Sequence, residues 1–133
     1  MFDKIDSLKY FDKEVKFYTP TKKTAGRVKK IFKKEPITIT WMDNMKQGDI
    51  VIDIGANVGM YSLMSAVSRS ARVYAFEPEA SNFNLLCMNI RLNNMGNRVT
   101  AYCAGNLDYD GFSVLNIAEN RDVGPGGSCH TVD

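Results

Sequence analysis

Two glycines four residues apart, Gly55 and Gly59, follow the apolar run Ile50-Val51-Ile52-Asp53-Ile54, with Asn57 between them. Glycines placed this way permit a tight turn and a close backbone approach that a Cβ would block. A helix starting there turns its first N–H groups and the positive end of its dipole into the loop, where an anion or a ligand carboxylate would meet unpaired donors. Glu77 stands 22 residues after Gly55, close to the roughly 20 that separate a glycine loop from the ribose-binding acid of dinucleotide folds. Its carboxylate suits two adjacent hydroxyls through charge-assisted hydrogen bonds. The expected chemistry is the gripping of an adenosine-like ligand.

The details of the loop narrow that ligand. A nicotinamide or flavin fingerprint reads G-x-G-x-x-G, whereas here Asn57 and Met60 stand where two of those glycines belong. Asp53, just before the loop, favours a ligand carrying an ammonium or sulfonium group over a pyrophosphate. S-adenosylmethionine combines that positive charge with an adenosine, so it is the expected cofactor, with a dinucleotide as the alternative. Each residue also has a plain structural reading. The glycines would serve only the turn, Asp53 would cap nearby loop amides, and Glu77 would be an acid that happens to end a strand.

The elements around these residues read as an α/β pattern. Val51, Ile52 and Ile54 suit a strand covered on both faces, followed by a largely buried helix over Val58–Ser68 with Asn57 as its N-cap. Arg72–Phe76 reads as a second strand, ending in Glu77 and stopped by Pro78. A helix over Glu79–Met95 and a third strand over Val99–Cys103 follow. Alternating units of this kind specify a Rossmann-like parallel sheet with helices on its faces, whose ligands collect at the carboxyl end of the first strand. Ahead of it, residues 1–34 mix lysines with scattered aromatics and read as a basic arm or short helices, with Val28, Ile31 and Phe32 making one apolar stripe. Ile37–Met42 reads as a short strand or a helix start, with Trp41 and Met42 packing on the sheet. Phe112–Ala118 reads as one further strand, and Asn120–Asp133 shows no apolar period.

Composition bounds these readings. The chain has 133 residues, 44% hydrophobic and 24% charged, which suits one globular domain rather than two. Residues 1–35 hold eleven Lys/Arg against five Asp/Glu, and the remainder six against ten. The basic segment leaves open a non-catalytic module that binds nucleic acid or an acidic membrane, although charge runs are usually solvated faces. Cys87, Cys103 and Cys129 have no metal-ligand spacing and read as reduced thiols. His130 lies in a glycine-rich stretch without a neighbouring acid or nucleophile motif, so a packing or exposed role is preferred to that of a base. No secretory signal and no apolar run of membrane-spanning length is present, and a cytoplasmic protein is expected.

Over residues 35–133 the chain resembles the FkbM family of S-adenosylmethionine-dependent methyltransferases, through VIDIGANVGMYSL at 51–63, RVYAFEPEASNFNLLCMNIRLNN at 72–94 and RVTAYCAGNLDYDG at 98–111. The resemblance implies that Asp53, Gly55, Asn57 and Gly59 face the methionine part of the cofactor and that Glu77 holds the ribose. It also implies that Asn106 or Asp108 approaches the adenine. It implies an O-methyltransferase acting on a hydroxyl of a sugar, glycan or natural product, with no nucleic acid partner. Family members are longer and carry a fourth, acidic strand beside the first. The expectation is therefore an N-terminal piece of a methyltransferase, or a truncated and inactive copy, in which the first strand keeps an open apolar edge. No catalytic residue is assigned.

Overall fold

The structure, a computed structural model, describes residues 4–117, 126, 127, 131 and 132. Strands β3 (Ile50–Ile54), β4 (Arg72–Phe76) and β5 (Val99–Tyr102) form a parallel sheet in the order β3-β4-β5. Its register sets Ile52 opposite Tyr74 and Tyr74 opposite Thr100. Helix α3 (Met60–Arg69) connects β3 to β4, and α4 (Ala80–Leu92) connects β4 to β5. Val51, Val73, Ala75 and Val99 are buried together with Leu63, Met64, Leu85 and Leu86 of these helices in one core. The parallel α/β architecture expected from the sequence is present.

The other face of the sheet differs from expectation. Ile50, Ile52 and Ile54 are 69%, 64% and 62% exposed, so β3 is covered on one face only. Across the same face Phe76 stacks on Tyr102, ring centroids 4.9 Å apart. Helices α3 and α4 join neighbouring strands in one winding direction, and such right-handed crossovers stay on one side of a sheet. The open apolar edge expected at β3 is thus present, since among the described residues β3 pairs with β4 alone.

Residues 5–18 form a hairpin that the sequence reading did not anticipate: β1 (Ile5–Tyr10) pairs antiparallel with β2 (Lys13–Tyr18). Phe11 and Asp12 have φ of 48° and 60°, as a two-residue type I′ turn requires, in a sequence without the usual Asn or Gly. Leu8, Tyr10, Val15 and Phe17 are buried in the core that also holds Leu63 and Leu86. The hairpin lies on the helices rather than on the sheet, with β2 against α3 and α4.

Two asparagines dock it. The Asn89 side chain of α4 accepts from Tyr18 N at 2.8 Å and donates to the Val58 carbonyl at 2.9 Å. One turn later Asn93 accepts from Lys16 N at 2.9 Å and donates to Lys16 O at 2.7 Å. Backbone groups at the edge of β2 are satisfied by side chains where another strand is absent. Asn89 is fully buried, so Asn89→Ala strands both a donor and an acceptor and is expected to lower the unfolding free energy by about 2 kcal/mol in urea titrations.

Between hairpin and sheet run α1 (Lys22–Lys34) and α2 (Pro36–Asp43). Thr21 and Thr24 form a reciprocal capping box at the start of α1, and Lys33 and Lys34 close its last turn, where positive charge suits the helix dipole. Pro36 ends this helix and, with no N–H to lose, opens the next one at its first turn. The stretch 37–42 is therefore helical. Met42 is buried as expected, whereas Trp41 is 57% exposed. Tyr10 ties α2 to the hairpin through a 2.6 Å bond to Asp43, and burial followed by that acceptor raises its phenol pKa. Beyond β5 the chain pairs β6 (Leu115–Asn116), within the strand expected over Phe112–Ala118, antiparallel with β7 (Thr131–Val132), in the stretch where no element was expected. Among the described residues no helix is long and apolar enough to cross a membrane.

Candidate functional site

The glycine loop leaves the carboxyl end of β3 beside the carboxyl end of β4, and Glu77 closes onto it. Glu77 is 4% exposed. Its Oε2 accepts from Asn57 N at 2.7 Å and its Oε1 from Glu79 N at 2.9 Å. Gly55 and Gly59 have φ of 74° and 89°. A Cβ on Gly59 would stand 2.5 Å from Leu86 Cδ1, so this glycine lets α4 pack against the loop, while Gly55 has open space around it.

The loop amides are not free donors. Gly55 N and Ala56 N both donate to Phe76 O at 2.9 Å, Gly59 N donates to Ala56 O at 2.9 Å, and Val58 N donates to the Asn57 side chain at 3.0 Å. With Asn57 N taken by Glu77, the loop does not form the anion cradle expected from its sequence. The helix N-cap is Gly59, in the left-handed region, rather than Asn57. The Asn57 side chain instead donates to Gly127 O at 2.7 Å, an acceptor it shares with Asn82 at 3.0 Å. Gly126 O in turn accepts from Arg27 Nη2 at 2.8 Å.

Asp53 points toward α3, where the Ser62 hydroxyl donates to it at 2.6 Å. It thereby ties β3 to the first turn of that helix. Burial raises its pKa above 3.8, and Ser62 opposes the rise without cancelling it. Because the folded pKa exceeds the unfolded one, the folded state holds this proton more tightly. Stability from Asp53 is full below pH 3.8 and declines as pH rises through the folded value. In Asp53→Asn that decline is expected to vanish, as read from urea midpoints at successive pH values. An identical slope in both proteins would refute the assignment.

A cavity of about 430 Å³ opens between this loop and the N-terminal helices. Asp53, Gly55, Asn57, Met60 and Tyr61 line one side, and Arg27, Ile31, Lys34, Glu35 and Thr38 the other. Burial, followed by the nearby Glu35 carboxylate, raises the pKa of the Tyr61 phenol. The second wall was not read from the sequence, because its residues belong to a segment that looked like a solvated surface. Ser62, a polar residue within an apolar helix, was the available signal for the Asp53 support.

Of the remaining candidates, Asn106 and Asp108 are exposed in the chain that follows β5. Their neighbour Gly105 lies against Pro78, which puts this stretch on the rim next to Glu77. No hydrogen bond among the described residues ties Asn106 or Asp108 to the glycine loop. Cys87 and Cys103 are free thiols. His130 and Cys129 lie outside the described residues.

Residues 27–119 match the sequence family described as the TRM5/TYW2 methyltransferase domain. The chain belongs to that family. A curated relative from Pyrococcus horikoshii, a tRNA(Phe) (4-demethylwyosine(37)-C(7)) aminocarboxypropyltransferase, is 36% identical over 71 residues, 53% of this chain and 26% of that protein. The structure of P. horikoshii TYW2 in complex with MeSAdo superposes with a TM-score of 0.55 at 26% identity, over 82% of this chain and 39% of that one. That of M. jannaschii TYW2 in complex with AdoMet gives 0.53 at 20% identity, over 79% and 45%, and supports the fold. The chain thus spans about a quarter of the curated relative's length and two-fifths of the first solved one.

These findings correct two expectations. The family is TRM5/TYW2 rather than FkbM. The expectation of a sugar, glycan or other small hydroxyl acceptor, with no nucleic acid, is overturned, since the curated relative is a tRNA-modifying transferase. The reason lies in what the motifs do. The stretches at 51–63 and 72–94 build the glycine loop and the acid that closes on it, and neither identifies an acceptor.

Proposed function

We propose that this chain is the cofactor-binding portion of an S-adenosylmethionine-dependent transferase that alkylates tRNA. The observation that carries the reading is the closure of the buried Glu77 carboxylate onto the glycine loop, 2.7 Å from Asn57 N, beside a cavity of about 430 Å³. Family membership and the two TYW2 complexes support the cofactor.

The residues present suit that cofactor. Each Glu77 oxygen accepts one N–H, and a carboxylate oxygen has room for a second donor, so the ribose hydroxyls find acceptors there. Asp53 and Glu35 supply negative charge to the cavity that would hold the methionine end, with Gly55 giving backbone clearance. Asn106, exposed next to the Gly105–Pro78 contact on the same rim, is proposed to face the adenine. When bound, the cofactor supplies a sulfonium whose attached carbons are electrophilic. The chain's own contribution is to hold it in line with an incoming nucleophile, and positioning of that kind supplies much of a transfer rate.

Residues 35–133 form part of the cofactor domain in this reading, residues 1–34 flank it, and a cytoplasmic setting fits the free thiols. The transferred group is proposed to be the aminocarboxypropyl arm, on the strength of the 36% identity to the curated transferase. The test is incubation with tRNA and S-adenosylmethionine labelled either on the methyl or on the carboxyl carbon. The carboxyl label is expected to enter RNA with release of methylthioadenosine. Entry of the methyl label with release of S-adenosylhomocysteine would revise the group, and label in neither RNA fraction would overturn the function.

A further inference from the structure

Helix α1 carries more positive charge than its dipole and the Arg27–Gly126 bond employ. Its inward residues Thr24, Ala25, Val28 and Ile31 are buried, and Lys22, Lys29, Lys30, Lys33 and Lys34 are exposed. No Asp or Glu occurs between Lys22 and Lys34. The ion pairs among the described residues, Lys4 with Asp6 and Lys16 with Glu14, belong to the hairpin and its approach. Lys29 and Lys33, like Lys30 and Lys34, stand four residues apart, a spacing at which like charges destabilise an isolated helix. The row spans about 18 Å at the helical rise and ends at Lys34, which lines the cavity.

We propose that this lysine face is the docking surface for the phosphate backbone of the RNA substrate, holding it so that one nucleotide reaches the cavity beside the glycine loop. The inference rests on the tRNA reading above and adds the surface that meets the RNA. A polyanion along the helix relieves the lysine repulsion and releases counterions, which makes binding favourable and salt-dependent. An acidic membrane is the lesser fit. Amphipathic helices bind bilayers by inserting an apolar face, and the Val28–Ile31 face of α1 is already buried in the core.

The experiment compares binding of a fluorescent tRNA transcript by the wild-type chain, by the triple variant Lys29→Gln, Lys30→Gln, Lys33→Gln, and by a control of equal charge change in the hairpin, Lys9→Gln, Lys13→Gln, Lys16→Gln. All six lysines are exposed, and circular dichroism checks each fold. The α1 variant is expected to bind at least tenfold more weakly, with the slope of log K against log salt reduced in magnitude by about 2 to 3, while the hairpin control stays within twofold of wild type. Equal losses in both variants, unchanged binding in the α1 variant, or no binding by wild type would overturn the surface. Tighter α1-dependent binding to anionic phospholipid vesicles than to RNA would overturn it in favour of a membrane. A calorimetric titration of the same proteins with S-adenosylhomocysteine is independent of these outcomes. Its failure would count against the cofactor and leave the RNA comparison readable.

Discussion

Glu77→Ala is expected to lower the affinity for S-adenosylhomocysteine at least a hundredfold and to destabilise the fold as well. The two effects share one cause. Glu77 accepts from the N–H groups of Asn57 and Glu79 in a nearly closed environment, and removing the carboxylate leaves both donors unpaired, at about 1–3 kcal/mol each. The loop then loses the brace that sets its distance from β4, and the ribose loses its acceptors. Glu77→Gln separates brace from ligand only partly, because its amide group offers one carbonyl and turns an N–H donor against the other backbone donor. Denaturation and calorimetry on the same preparations distinguish the contributions. A folded Glu77→Ala chain with wild-type affinity would show that Glu77 is a brace alone.

Gly59→Ala is expected to be the most destabilising single-methyl substitution in the loop. The residue sits at φ 89°, and the new Cβ would stand 2.5 Å from Leu86 Cδ1. A left-handed conformation costs a non-glycine residue about 1–2 kcal/mol, and overpacking a filled core typically costs a further 1–3 kcal/mol. Leu86 is fully buried, so its side chain has to shift within the core to admit the new methyl. Gly55→Ala supplies the contrast. Its φ of 74° carries the conformational cost, but nothing lies within 4 Å of the added Cβ, so about 1 kcal/mol is expected. Urea unfolding of both variants gives the comparison, and equal losses would mean that contact with Leu86 does not matter.

What the sequence made legible was periodic or punctuated. The alternation of strand and helix from Ile50 to Tyr102 follows apolar spacing, and Pro78 and Gly96 mark its breaks. The meeting of Glu77 with the loop follows from parallel connection alone, since both end neighbouring strands at the same rim. The hairpin escaped notice because Phe11 and Asp12 make its turn without Asn or Gly, and because the apolar Ile5 and Phe11 fall on the exposed side of an otherwise alternating pattern. The cavity's second wall escaped notice for another reason. Arg27, Lys34 and Glu35 are charged residues whose placement depends on α1 folding back over the loop, a long-range contact that no local pattern encodes. Loop donors that looked free are spent on Phe76 and Glu77, which lie 20 or more residues away in the chain.

Capture of a nucleoside-bearing sulfonium donor, or its product, at this rim underlies the whole of the proposed chemistry. Isothermal titration of the folded wild-type chain with S-adenosylhomocysteine, run beside NAD under the same conditions, measures this directly. A saturable one-to-one isotherm for S-adenosylhomocysteine, with none for NAD, is the predicted result. A chain that is cooperatively folded yet gives no saturable heat with S-adenosylhomocysteine, or that prefers NAD, would contradict it.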